Sequence, residues 1–251
     1  MQPEIVIVMP VFNEQASVRK VVLEWFQEVE NWTEKFLLLA VNDGSTDETQ
    51  RVLARVKEQL GTRLEIISRA NKGHGQSCLD GYRFAMSQNA KWILQIDSDG
   101  QCDPQYFFRF WRTREAFDII YGHRVIREDG WRRVAASWFL RITLLFFCRT
   151  WCIDANVPYR LMSAKAVEKH LSKIPPCFSL ANVALAVLLR KDKTIRLAHI
   201  PIRFRERYGG EPSVQLTAFG SKAIELIIQL RHMTKKTRSD CHEQSGEKEK
   251  Q

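Results

Sequence analysis

Four short apolar runs recur through the first hundred residues, at 5–11 (Ile-Val-Ile-Val-Met-Pro-Val), 36–41 (Phe-Leu-Leu-Leu-Ala-Val), 64–67 (Leu-Glu-Ile-Ile) and 92–96 (Trp-Ile-Leu-Gln-Ile). A strand that is apolar on both faces has to be covered on both faces, which is the condition of parallel sheets flanked by helices. Between the runs the periodicity changes. Val18, Val21, Val22, Trp25, Phe26 and Val29 recur at three-and-four spacing within 14–29, and Val52, Leu53, Val56 and Leu60 do so within 47–60. A third helix is predicted over 75–90. Strand and helix thus alternate through about four βα units, and the predicted class is α/β with a mostly parallel central sheet between helices.

In open sheets of this kind ligands bind at the carboxyl ends of the strands, so the residues that follow each run matter most. The fourth run leads into Asp97-Ser98-Asp99-Gly100-Gln101. Strand alternation would send Asp97 and Asp99 to one side, where two like charges repel unless a divalent cation such as Mg²⁺ or Mn²⁺ sits between them; Gln101 offers a third hard oxygen ligand. Taken alone, the same residues also make a polar turn that caps the next helix. The first run ends in Met-Pro-Val-Phe-Asn-Glu, where Pro10 is expected to stop the ladder and Asn13 and Glu14 can hydrogen-bond a base or ribose. The second ends in Asn-Asp-Gly-Ser-Thr-Asp-Glu-Thr, in which Ser45, Thr46 or Asp47 supplies a helix N-cap and Asp43 is left to point toward a ligand. Residues 71–76, Asn-Lys-Gly-His-Gly-Gln, place Lys72 and Gln76 in a glycine-spaced loop ahead of a helix, a setting that favours phosphate. The first βα turn lacks the glycines that a dinucleotide-binding dehydrogenase requires there.

Read in order and at these intervals, the four motifs resemble the nucleotide-sugar-binding half of family 2 glycosyltransferases with the GT-A fold. Downstream, Tyr-Gly-His-Arg at 121–124, Asp-Ala-Asn-Val-Pro-Tyr-Arg-Leu-Met-Ser at 154–163 and Ile-Pro-Ile-Arg-Phe-Arg-Glu-Arg-Tyr-Gly-Gly-Glu-Pro-Ser at 200–213 resemble the branch that glycosylates polyprenyl phosphates, the dolichyl-phosphate mannose synthase type. The resemblance implies that Pro10, Phe12, Glu14 and Asp43 contact the nucleoside of a UDP- or GDP-sugar and that Asp97, Asp99 and Gln101 form the metal and diphosphate end. It also implies that Arg160 handles phosphate near the reacting centre, with Arg124 and Arg207 in further matching segments. The implied reaction is a metal-assisted inverting displacement at the anomeric carbon. A lipid phosphate acceptor is already anionic and requires arginines rather than a general base. A sugar hydroxyl acceptor would instead require a carboxylate base, for which Asp154 is the candidate. Asn182 departs from the pattern, standing where relatives often carry an acidic residue, and so does the proline within Gly-Gly-Glu-Pro-Ser. A nucleotide-binding relative without transferase activity is the competing reading; retention of Asp97, Asp99, Gln101 and Arg160 argues against it.

The formal charge of +9 favours an anionic partner, whether nucleic acid, phosphorylated substrate or acidic membrane surface. No nucleic-acid motif accompanies it, and nucleic acid is set aside. Residues 131–148 place Trp131, Val134, Ala135, Trp138, Phe139, Ile142, Leu145 and Phe146 on one helical stripe with arginines at 132, 133 and 141. That segment is too short and too charged to span a bilayer and reads as an interfacial helix over 131–150. The expected organisation is one transferase domain over 1–215, an amphipathic helix over 216–232 and a disordered tail over 233–251. The N-terminus shows no export signal, and the six cysteines lack metal spacing. The expected location is therefore cytoplasmic, on the inner face of a membrane, either peripherally or through a separate anchoring protein. The histidines, His74 included, read as loop or packing residues.

Overall fold

A computed structural model describes residues 2–125, 142–146, 148–152, 155–174 and 181–209. The predicted helices over 216–232 and most of 131–150, the predicted tail and Asp154 lie outside these residues. The described residues build a seven-stranded sheet from β1 (Ile5–Val11), β2 (Phe36–Asn42), β3 (Leu64–Ser68), β4 (Trp92–Gln95), β5 (Ile119–Arg124), β6 (Arg160–Ser163) and β7 (Leu197–Ile202). Its spatial order is β3-β2-β1-β4-β6-β5-β7. All neighbouring pairs are parallel except those made by β6, which runs antiparallel to both β4 and β5. β1, β2 and β4 are buried at every position, as strands covered on two faces must be.

The helices are α1 (Val18–Glu30), α2 (Thr49–Leu60), α3 (His74–Ser87), α4 (Phe107–Thr113), α5 (Ala164–Leu171) and α6 (Ala181–Lys191). α1 begins four residues later than its periodicity suggests, because Glu14–Ser17 closes a turn in which the Glu14 carbonyl accepts from the Ser17 and Val18 amides. α2 begins at Thr49 because Asp47 stays outside and its Oδ1 accepts the Thr49 amide at 3.0 Å. α3 lies close on β1, and a Cβ at Gly81 would overlap Val8 Cγ1.

Two local expectations change. β1 runs through Pro10 to Val11 and stays paired with β2. Val8 accepts from Ile96 on the β4 side. Two residues on, the missing amide of Pro10 faces that same side, where the β4 ladder has already ended at Gln95. β1 therefore continues past the proline, and the cleft between β1 and β4 begins where their ladder stops. Asp97 and Asp99 lie past the end of β4, in a turn rather than on the strand itself, so the turn and not the pleat brings them together.

Candidate active site

The sheet order delivers the site. β1 has β2 on one side and β4 on the other, so the crevice beyond their carboxyl ends is where the loops after β1, β2, β3 and β4 meet. β5 and β7 run parallel to β4 and bring Arg124 and the segment 203–209 to the same edge. The reversed β6 brings its first residue, Arg160, there as well, opposite Gln95.

Asp97 and Asp99 face this crevice. Asp97 Oδ1 is buried and has no hydrogen-bond partner. Asp99 Oδ1 accepts the Gln101 amide at 3.0 Å, while Oδ2 lies 3.7 Å from Arg207 Nη1. Burial, followed by the Asp97 carboxylate, raises the Asp99 pKa against the opposing Gln101 amide and Arg207. Gly100, between Asp99 and Gln101, has φ +85°, and a Cβ there would meet Tyr208 Cδ2 at 2.5 Å, so the turn requires glycine on both counts.

Glu14 is buried beside them. Its Oε2 accepts from the Ser17 hydroxyl at 2.5 Å and its Oε1 from Arg207 Nη2. Burial is the largest influence on its pKa and raises it; Asp99 and Asp97 push the same way, against the Ser17 hydrogen bond and Arg207. Asp43 lies at the same edge but is not left open toward a ligand. Its Oδ1 accepts the Lys72 amide at 2.9 Å and its Oδ2 the Gly73 amide at 2.7 Å, and Arg69 Nη2 stands 2.9 Å away. It shapes the loop that carries Lys72 and Gln76. Lys72 is exposed, Gln76 half-buried, Pro10 buried, and Phe12 exposed at the mouth of the β1 cleft.

Arg160 reaches the edge but turns inward. It is fully buried, and its guanidinium donates to the carbonyls of Val157, Ala155 and Asn182. Asn182 itself sits in a buried polar cluster, its Oδ1 accepting from the Tyr82 hydroxyl at 3.0 Å and its Nδ2 pointing to Cys78 Sγ at 3.6 Å. A neutral amide serves both as acceptor and as donor there, which a carboxylate could not. Arg124 stands over the Phe204 ring at 5.2 Å. Gln101 is bracketed through its backbone, its amide to Asp99 and its carbonyl to the Arg205 amide at 3.0 Å.

His74, read from the sequence as a loop or packing residue, lies beside Asp97. It opens α3 with Nε2 3.8 Å from Asp97 Oδ1 and 3.5 Å from Cys78 Sγ. Its side chain is half exposed, and the neighbouring Cys78 and then Asp97 raise its pKa. The sequence signal was its position two residues after Lys72 in the phosphate-favouring loop; what it lacked was the contact with the turn after β4.

Among the described residues no three His, Cys, Asp or Glu side chains are gathered so as to hold an ion by themselves. Two neighbouring carboxylates, one with its ionised form disfavoured and the other with a buried oxygen that accepts no hydrogen bond, nevertheless suit a hard divalent cation that also takes ligands from a diphosphate and water.

An α/β sheet of this order, with an acidic turn after β4, is the GT-A type of fold, and solved structures share it. Crystal structures of glucosyl-3-phosphoglycerate synthase from Mycobacterium tuberculosis align over 92% of this chain at 16% identity. One, in complex with Mn²⁺, UDP and phosphoglyceric acid, gives a TM-score of 0.65 over 78% of that chain; another, with Mn²⁺, UDP and glucosyl-3-phosphoglycerate, gives 0.63 over 80%. Residues 6–171 match Glycosyl transferase family 2, and the chain belongs to that family. It is similar to proteins named undecaprenyl-phosphate 4-deoxy-4-formamido-L-arabinose transferase. The Photorhabdus laumondii protein is 26% identical over 133 residues, 52% of this chain and 40% of its own length, and the Serratia proteamaculans protein is 24% identical over 140 residues, 55% and 42%. The chain spans less than half the length of these relatives.

Proposed function

We propose that this chain transfers a sugar from a UDP- or GDP-sugar to a polyprenyl phosphate, with inversion and with Mg²⁺ or Mn²⁺ held by Asp97 and Asp99. The observation that carries the reading is the adjacent Asp97 and Asp99, with Asp97 Oδ1 buried and without a hydrogen bond and the ionised form of Asp99 disfavoured by burial and by Asp97, at the crevice where β1 and β4 part. The relatives' names support a polyprenyl phosphate acceptor, and the Mn²⁺ and UDP bound to the M. tuberculosis enzyme support a metal and a nucleotide at such a site.

Asp97, Asp99 and Gln101 would hold the ion, whose chemistry there would be stabilisation of negative charge on the leaving nucleoside diphosphate. The remaining work falls to this chain. Pro10 and Phe12 line the cleft as an apolar wall for the nucleoside, and Asp43 orders the loop that presents Lys72 and Gln76 to phosphate. Arg124 and Arg207 supply the positive charge that lets an anionic acceptor approach an anionic donor. Arg160 secures the chain after residue 154 through the Ala155 and Val157 carbonyls, so its contribution is to positioning. Gln101 completes the metal end.

We place the reaction at the cytoplasmic face of a membrane. Cys78, Cys102, Cys148 and Cys152 are free thiols, which fits a reducing compartment. Of the apolar stripe expected to face lipid, Ile142, Leu145 and Phe146 are exposed, whereas Leu144 is the neighbour buried in the core. Among the described residues no helix is long and apolar enough to cross a membrane. The exposed Ile142, Leu145 and Phe146 support contact at the surface, made directly or through an anchoring partner.

The test incubates the purified full chain with Mg²⁺ or Mn²⁺, undecaprenyl or dolichyl phosphate and a panel of radiolabelled UDP- and GDP-sugars, then counts label extracted into organic solvent. Metal-dependent label from one donor is expected. Nucleotide binding without extracted label sinks the lipid acceptor and favours a saccharide acceptor or an inactive relative.

A further inference from the structure

Arg207 stands where positive charge is most needed. Its Nη2 donates to Glu14, its Nη1 lies 3.7 Å from Asp99 Oδ2, and its Nε donates to the Gly209 carbonyl at 2.7 Å. The side chains of Glu14 and Asp99 are 6% and 13% exposed, so the guanidinium fills the angle between two buried carboxylates. The backbone around it is tied to the same acidic turn. The Arg205 amide donates to the Gln101 carbonyl and the Tyr208 amide to the Asp99 carbonyl, each at 3.0 Å. The Tyr208 ring lies against Gly100, and its hydroxyl reaches Glu24 at 3.0 Å. The Arg207 backbone is therefore bracketed in place, while its long side chain is held only by polar contacts.

We propose that Arg207 is a tethered counter-ion for the metal seat. Without metal its guanidinium neutralises Glu14 and Asp99; when a divalent cation takes Asp99, the guanidinium is displaced and turns to the diphosphate that accompanies the ion. The proposal rests on the metal-dependent reading above. A guanidinium and a divalent ion repel across one carboxylate. The same five-donor fork that pairs with carboxylates pairs equally well with phosphate oxygens. Arg207 thus opposes binding of the ion alone and favours binding of nucleotide once the ion is present. A residue that only braced the 203–209 segment would alter both in one direction or neither.

The experiment measures Mn²⁺ binding by the full chain through the electron paramagnetic resonance of free Mn²⁺, then UDP and GDP binding at saturating Mn²⁺ by calorimetry. Wild type, Arg207→Gln, Arg207→Lys and Asp99→Asn are compared. Arg207→Gln is expected to bind Mn²⁺ about five- to tenfold more tightly and the preferred nucleotide about tenfold more weakly. Arg207→Lys, which keeps the charge and loses the fork, is expected to stay near wild type for Mn²⁺ and to lose nucleotide affinity. Unchanged or weaker Mn²⁺ binding by a folded Arg207→Gln overturns the proposal. Should that variant fail to fold, unchanged nucleotide affinity in Arg207→Lys overturns it instead. Asp99→Asn separates the two ideas: loss of Mn²⁺ binding there is what the metal site requires, and wild-type binding brings down that reading and the seat with it.

Discussion

Burial and the neighbouring Asp97 carboxylate disfavour the ionised form of Asp99. Because burial and Asp97 raise its folded-state pKa, the ionised carboxylate subtracts from stability above that pKa, and the deficit disappears as pH falls through it. Asp99→Asn should therefore raise the Tm of the metal-free protein at neutral pH by roughly 2–4 °C. The gain should shrink on acidification, and the variant should lose Mn²⁺ binding and transfer. Thermal unfolding across a pH series, with and without Mn²⁺, checks this; a neutral-pH Tm at or below wild type refutes the strained carboxylate. The pair Asp97 and Asp99 was legible in the sequence because its members are neighbours. Arg207 was legible only as part of a matching segment, since its partner Glu14 lies 193 residues away. Asp43 was placed at the right edge and the resemblance put Arg160 near the reacting centre, but their polar atoms are satisfied inside the protein by amides and carbonyls from other loops. That outcome is a competition among groups that the sequence does not rank.

At the scale of elements, the apolar runs located the strands well. β1 covers the predicted 5–11, and β2 extends the predicted 36–41 by one residue. Helix starts were less legible because they depend on side-chain bonds between loops: the Thr49 hydroxyl accepts the Glu14 amide at 2.8 Å, and the Asn13 carboxamide oxygen accepts the Thr46 amide at 2.8 Å. The close approach of α3 to β1 gives a sharper test. Gly81→Ala would drive a methyl into Val8 and should destabilise the fold by about 1–3 kcal/mol. Urea denaturation reads this directly, and an unchanged midpoint would mean that α3 does not pack against β1 as described. Because Val8 marks the point where the β4 ladder ends, a shift of α3 there should also loosen the cleft.

Over the whole molecule, catalytic edge and apolar surface belong to one fold. Ile142, Leu145, Phe146 and Trp151 are exposed, Phe146 the most at 78%. If they meet a bilayer, the full chain should sediment with anionic phospholipid vesicles, and Leu145→Asp with Phe146→Asp should weaken that association by about tenfold or more. Undiminished binding by the double variant would move the contact elsewhere on the surface. By itself the sequence determined the α/β class, the strands and the acidic turn, because periodicity and adjacent carboxylates are properties of residues close in the chain. Tertiary structure alone decided that β6 runs backwards and brings Arg160 to the edge, that Asp43 is consumed by its neighbouring loop, that His74 meets Asp97 and that Arg207 seats itself between Glu14 and Asp99. Those are questions of which polar groups, distant in sequence, satisfy one another once water is excluded, and only packing answers them.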